Sequence, residues 1–344
     1  MEQMQILLAI LVLLPFVSAL LLALCGSDRM RRLIVYGSAG VLMISAVAFA
    51  VCFFSGENLQ LRFLQSGGII DHTMLALEAG FAVLITVLSI KYRRYYVAVL
   101  SIVQTVLTFV YELGGYKPAV QPYNLFADQL TVIMVLIIAV VGTLITVYAV
   151  GYMRDYHNHH KEYADRRRFF FAMLYVFLGA MFGLVLSNSL LWLYFFWEIT
   201  SLVSFLLIGY TRTKEAVQNS FRALWMNLLG GLGFAAAIFW AGVRFGITDL
   251  QSLILCDGKL VVAPVILLAF AALTKSAQLP FSRWLLGAMV ALLCTVAQRH
   301  DGKGRCVPAD PPGAGDVRHL CRLYGEPGGG LYIPDHFHAG HYRQ

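Results

Sequence analysis

Apolar residues fall in long blocks along this chain, separated by short polar stretches. Nine blocks can be marked, at roughly 4–24, 33–54, 73–90, 96–113, 128–151, 169–187, 189–210, 222–243 and 260–291. A helix that crosses the hydrocarbon core of a bilayer needs about 20 apolar residues, so each block predicts a transmembrane helix. The ninth is too long for one clean helix, and Pro280 interrupts it. From about Leu292 the blocks stop. Residues 300–344 carry Gly, Pro, His and Arg in no helical period, a composition suited to a disordered segment.

The polar stretches alternate in charge. Arg29, Arg31 and Arg32 follow the first block, Lys91, Arg93 and Arg94 the third, Arg154, Lys161 and Arg166 to Arg168 the fifth, and Arg212 and Lys214 the seventh. The intervening loops are poor in cations: 55–72 holds only Arg62 and 114–127 only Lys117. Loops rich in Lys and Arg stay on the cytoplasmic side. The pattern therefore predicts a multi-pass inner-membrane protein with its N-terminus outside, and every loop agrees with the count of nine.

Composition changes this picture little. Of 344 residues 59% are hydrophobic and 13% charged, with a mean hydropathy of +0.71, too apolar for a soluble protein of this length. The net charge of +7 sits in the loops as a topology signal and does not point to nucleic acid. Six cysteines show no CxxC or zinc spacing. No glycine-rich nucleotide loop is evident, so no cofactor and no metal are expected. The N-terminus does not read as a cleavable leader: Met1 to Met4 carries Glu2 in place of a basic region, and the first apolar run ends in arginines.

Two charged residues stand inside apolar blocks. Glu198 lies in "WLYFFWEITSLVSFLLIGY", nine residues beyond Ser189, or roughly 14 Å along a helix. A charge at that depth costs several kcal/mol unless it is paired, hydrated or neutralised. Glu198 reads either as a neutral, hydrogen-bonded structural acid or as a proton-binding site whose occupancy a nearby cation controls. Lys275 lies in "LTKSAQLPFSRWL", five residues before Pro280. Proline lacks an N–H, so the Ser276 carbonyl loses its helical donor. Broken helices near the midplane line ion-transport sites; the plainer reading is a lysine that snorkels to the surface. Arg222 is a further candidate, with a place at the membrane surface as its plainer reading. For Glu78, near the start of the third block, surface anchoring and function stand level. His157, His159 and His160 read as a solvated loop, His336, His338 and His341 as a similar run in the tail, and Phe195, Phe196 and Trp197 as packing.

These residues carry a resemblance. The stretch from "YMRDYHNHHKEYADRRRFFF" through "FWEITSLVSFLLIGY", followed by "LTKSAQLPFSRWLLGAMVA", resembles the antiporter-like membrane subunits. These are the L-type subunit of respiratory complex I, the A-type subunit of Mrp Na⁺/H⁺ antiporters and their counterparts in membrane-bound hydrogenases. The resemblance covers about Asn124 to Ala291. It implies an all-α polytopic fold, the first half of an inverted-repeat core. It also implies proton translocation by Glu198 and Lys275 and partnership with other membrane subunits of a redox or antiporter complex. In that family electrons pass through partner subunits, so no redox site is expected here.

There are three departures. Blocks 73–90 and 96–113 precede the family core with no assigned role. "RALWMNLLGGLGF" has Gly230–Gly231 where the L-type subunits carry an acidic residue, which leans toward the Mrp or hydrogenase branches. The family segment that follows GAM-A is missing. Residues 297–314, "AQRHDGKGRCVPADPPGA", have codons that admit HSATMVKAGVYLLIRLAP when read from the second base, which is that missing segment in order. The expectation is a frameshift just after Ala291. The organisation expected is N-terminal helices over 1–122, a partial antiporter-like core over 123–291 and an out-of-frame tail over 292–344, making an inactive, truncated copy. A non-transporting structural or assembly role is the alternative.

Overall fold

The computed structural model of the protein describes residues 2–56, 61–65, 69–114, 123–159, 164–256, 258, 261–286, 298–300 and 306–308. The first eight expected spans appear as helices long enough to cross a membrane, and the ninth, 260–291, holds a shorter helix at Val262–Lys275. In chain order they are α1 (Glu2–Leu24), α2 (Asp28–Phe54), α3 (Ile69–Lys91) and α4 (Tyr95–Leu113), then α5 (Gln129–Ile137) running through a π-helical turn at Ile138–Gly142 into α6 (Thr143–His159). There follow α7 (Arg167–Leu186), α8 (Leu190–Ile208), α9 (Lys214–Phe245), the short α10 (Leu250–Leu255) and α11 (Val262–Lys275). Among the described residues, eight helical spans, with α5 and α6 counted as one, are long and apolar enough to cross a membrane, and α11 is a shorter apolar helix. The protein is an all-α, multi-pass membrane protein.

The helices start and stop where backbone chemistry requires. Asp128 caps α5, accepting from the Thr131 N–H at 2.8 Å. Thr213 caps α9 through the Ala216 N–H, and Asp249 caps α10 through the Ser252 N–H. Each supplies an acceptor to an N–H that the first turn leaves without one. Gly246, at φ +67°, ends α9 in the left-handed conformation that glycine adopts without strain.

Helix α1 packs on α2 and α7, α7 on α8, α8 on α9, and α9 on both α11 and α4. Two strands, β1 (Leu61–Gln65) and β2 (Tyr123–Ala127), pair antiparallel with Gln65 opposite Tyr123. The α3–α4 hairpin is therefore an insertion whose two ends leave and rejoin the chain side by side. It lies against α8 and α9, where Phe81 stacks on Phe195 with centroids 6.0 Å apart.

The two ends of the bundle differ. At one end the basic loops converge. Arg167 reaches Asp28 of α2 at 3.4 Å, Arg166 donates to the Tyr210 carbonyl, and Tyr92 packs on Phe221. All four cation-rich loops thus gather on one face, as the charge pattern requires. His157 belongs to this clasp and not to a solvated loop: its side chain is 9% exposed and its Nε2 lies 2.9 Å from the Tyr210 hydroxyl. His160 falls outside the described residues. At the other end Asn188 is a hub. Its N–H donates to the Asn124 carbonyl and its carbonyl accepts from Leu250. Its side chain donates to the Tyr123 carbonyl and accepts from the Gln251 N–H.

Residues Met289–Gln344 form a separate unit. Within it β3 (Gln298–His300) pairs antiparallel with β4 (Cys306–Pro308). The rest of the expected disordered tail, His336, His338 and His341 included, lies outside the described residues.

Candidate functional site

Glu198 is the ninth of nineteen residues in α8 and is 4% exposed. A carboxyl at mid-helix can be packed against other helices only where they leave room, and Gly231 of α9 provides it. A Cβ on Gly231 would stand 2.8 Å from Glu198 Oε1 and 2.9 Å from Gln104 Oε1. The neighbouring Gly230 faces the other way, where a Cβ would overlap Thr274 Oγ1 of α11. The Gly230–Gly231 pair lets α9 close on α8 and α4 with one residue and on α11 with the next.

Lys275 ends α11. Its ammonium donates to Ser201 Oγ at 2.7 Å and to the Trp197 carbonyl at 3.4 Å, and it stands 5.0 Å from the Trp197 ring centroid. All three contacts come from α8 residues within one turn of Glu198. The cation also occupies the last turn of its helix, where the macrodipole favours positive charge. The break comes earlier than Pro280: helical geometry ends at Lys275, Ala277 takes φ 54°, and helix resumes by Arg283. Trp284 reaches back across the gap, its Nε1 donating to the Thr274 carbonyl at 3.0 Å, so a carbonyl at the break finds a donor in protein, as a membrane interior demands.

The site therefore brings together Glu198 and Lys275 but joins them through Ser201 and Trp197, with no ion pair between them among the described residues. Arg222 does not join: it lies exposed on α9, nine residues before Gly231. Glu78 is not a surface anchor: it is 6% exposed and accepts from Thr108 Oγ1 of α4 at 2.6 Å. Trp197 does more than pack, since it forms one wall of the lysine site. Sequence reasoning missed Gln104, Thr108 and Ser201, which are common polar residues with no motif around them. Gln104 and Thr108 do share a face of α4 at helical spacing, and that was the available signal. Among the described residues, Glu198 Oε1, Gln104 Oε1, Tyr194 Oη and Asn227 Oδ1 are buried without a hydrogen-bond partner. Buried polar atoms are nearly always paired, and Glu198 and Gln104 present theirs to the same face of Gly231.

Residues 187–297 match the family model described as the NADH:quinone oxidoreductase/Mrp antiporter transmembrane region. Residues 121–170 match that of the N-terminus of chain 5 of NADH-ubiquinone oxidoreductase, complex I. The A1 subunit of the Na(+)/H(+) antiporter of Staphylococcus haemolyticus (strain JCSC1435) is 31% identical over 203 residues, covering 57% of this chain and 24% of that protein. Its counterpart in Staphylococcus aureus (strain JH9), which bears the same name, is 28% identical over 242 residues, covering 64% and 29%. The chain thus spans less than a third of the length of these relatives. Among solved structures, the Mrp complex from Dietzia sp. DQ12-45-1b aligns at 23% identity and TM-score 0.42, over 67% of this chain and 26% of that one. The archaeal membrane-bound sulfane sulfur reductase aligns at 17% and 0.43, over 66% and 49%. Helices α3 and α4 lie outside both matched segments. The matched segments include the helices that hold Glu198 and Lys275, and through them the chain is similar to the antiporter-like membrane subunits shared by NADH:quinone oxidoreductases and Mrp antiporters.

Proposed function

We propose that this chain is a proton- or cation-translocating membrane subunit, in which Glu198 holds the transported proton and Lys275 controls it. The observation that carries the proposal is the lysine on a broken helix, held by Ser201 and Trp197 within a turn of a buried carboxyl. Attraction between an ammonium and a carboxylate falls with their separation and rises in a low-dielectric interior. A change in the lysine's contacts therefore alters how tightly Glu198 holds its proton. The break that follows Lys275 frees it to exchange partners without unwinding a continuous helix.

The same reading puts the basic face in the cytoplasm and the N-terminus outside. Its partners are other membrane subunits of a redox or antiporter complex, met through the apolar surfaces of the outer helices. The out-of-frame reading of the tail belongs to the proposal too. The reading rests on the codons of residues 297–314, and resequencing the locus tests it. A confirmed read whose other phases hold only stops and polar residues refutes the frameshift.

The test of function is proton and Na⁺ flux in membranes carrying the protein with its reading frame restored. Glu198→Gln keeps shape and removes the exchangeable proton, so flux is lost while insertion is kept. Lys275→Ala does the same damage. Normal flux in both variants would leave a structural or assembly role with a neutral Glu198 as the reading, and flux that requires Na⁺ would identify the cation.

A further inference from the structure

The family site ends at Glu198 and Lys275, yet a second buried carboxyl lies beside it on an element that the family matches leave out. Glu78 sits on α3 of the inserted hairpin, 6% exposed, with Thr108 Oγ1 donating to its Oε1 at 2.6 Å. Thr108 also lies 3.4 Å from the Gln104 carbonyl, one turn earlier on α4. The Gln104 side chain is 1% exposed, and its Oε1 and Glu198 Oε1 stand 2.9 and 2.8 Å from the position that a Cβ on Gly231 would take. The hairpin therefore carries Glu78, Thr108 and Gln104 in series on its buried side, with Gln104 reaching Glu198 at Gly231.

The atoms left without partners lie at the end of this series. Glu198 Oε1 and Gln104 Oε1 are both acceptors, both buried and both unpartnered, and both face the side of Gly231 where a Cβ is missing. Two acceptors cannot satisfy one another. The Gln104 amide turned to present its NH2 pairs with an ionised Glu198, and a proton on Glu198 pairs with the amide oxygen as it stands, directly or through a water. The other charged or titratable groups around Glu78 and Glu198 are Glu112 one turn beyond Thr108, Tyr194 on α8 and Lys275 on α11. Of these Lys275 is engaged on the far side by Ser201 and Trp197. The hairpin side is where a proton can arrive without displacing the lysine.

We propose that Glu78 is a second proton-holding carboxyl, which exchanges a proton with Glu198 along the Gln104–Thr108 face of α4. The step is a transfer between two carboxyls: one proton leaves Glu78 as Glu198 gains it, or the reverse, and no other bond changes. It rests on Glu198 being a protonatable site, as proposed above, and extends that site into the hairpin. Glu78 acts on Glu198 and Gln104 positions the two.

The experiment uses the full chain in lipid nanodiscs and infrared spectroscopy. The protonated-carboxyl band that disappears in Glu198→Gln identifies Glu198, and its exchange in heavy water is timed. A positioned proton-transfer group accelerates such steps by on the order of a hundredfold, so Glu78→Gln and Gln104→Leu are each expected to slow the exchange by about that factor. Glu78→Asp restores the carboxyl and is expected to recover most of the rate. A merely structural role gives the opposite sign, because a loosened bundle admits water and speeds exchange. Unchanged or faster exchange in both Glu78→Gln and Gln104→Leu overturns the relay and leaves the Glu198–Lys275 reading standing. Absence of any band removed by Glu198→Gln overturns both.

Discussion

Helices α3 and α8 look alike as strings of residues. Each is about twenty residues long, each carries one glutamate in its membrane span, and their mean hydropathies are 2.0 and 1.8. In the fold they are opposites. Two thirds of α8 is buried inside the protein, against 17% of α3. Leu77, Val83, Val87 and Ile90 of α3 are exposed, facing outward where lipid tails are as apolar as they are. Hydropathy measures fitness for a bilayer and does not distinguish lipid from protein as the apolar neighbour. What separates the two helices is the pattern of small and polar residues around them: Gly230 and Gly231 admit α8 and α11 to α9, while Gly80 of α3 faces open space.

That difference is open to direct attack, and the largest effect belongs to the glycines. Gly230→Ala drives a methyl into Thr274 Oγ1, a hydroxyl already bonded to the Ala271 carbonyl. The overpacking is expected to cost about 1–3 kcal/mol and to lower the melting temperature of the detergent-solubilised protein clearly. Gly80→Ala meets nothing and is expected to change stability by less than about 1 kcal/mol, in the stabilising direction given alanine's helix preference. Equal effects at the two positions would mean that α3 and α9 are equally enclosed.

A smaller effect sharpens the comparison at the hydrogen-bond level. Ser201→Ala removes the hydroxyl that Lys275 donates to, and Thr108→Val removes the donor to Glu78. Hydrogen bonds between membrane helices contribute about 0.6 kcal/mol on average, so neither variant is expected to unfold. Ser201→Ala is expected to lower flux through the frame-restored protein while Glu198→Gln abolishes it. Flux unchanged by Ser201→Ala would show that the Trp197 carbonyl alone holds the lysine.

The topological expectation carries no stability cost. Cysteines placed at Arg93 and Arg154 are expected to resist a membrane-impermeant thiol reagent applied to intact cells and to label in inverted vesicles. Ready labelling from outside at either position would invert the orientation.

The smallest effect concerns the basic end. Hydrogen bonds from Arg167 hold Asp165 down to about 2, below the ordinary aspartate value near 3.9. A carboxyl depressed in the folded state contributes stability above its unfolded value, and the contribution is lost as pH falls through the folded one. Wild type and Asp165→Asn are thus expected to differ at neutral pH and to converge between pH ~4 and ~2. Because Asp165 is half exposed, the difference is expected to stay below about 1 kcal/mol. A gap that persists at the acid end would point to a role outside this pair.

Much of the fold was legible in the sequence. Eight of the nine blocks became helices long enough to span and the ninth a shorter one, because backbone groups in a bilayer must bond within their own helix, which makes length and hydropathy nearly sufficient. Glu198 and Lys275 were legible because a charge in such a block is conspicuous. Gln104 and Thr108 were not, because uncharged polar residues in an apolar helix cost little and gain meaning only from what stands opposite. Glu78 could be read as a surface group because its place near the start of a block says nothing of which side α4 covers. The pairing of β1 with β2 was hidden for another reason. The strands are five residues each and lie far apart along the chain, so no local pattern connects them.

That ribbon has a consequence for how the hairpin stays in place. A helix pair with so little of α3 buried would bind weakly as a separate polypeptide, since every contact would have to offset the freedom lost on association. Fastened at Gln65 and Tyr123, opposite one another in the ribbon, the pair is a captive ligand. Its local concentration beside α8 and α9 is set by two short tethers, as in a linked binding module. Modest packing then suffices for permanent occupancy, and a polar face that a free partner would present only intermittently is always at Glu198.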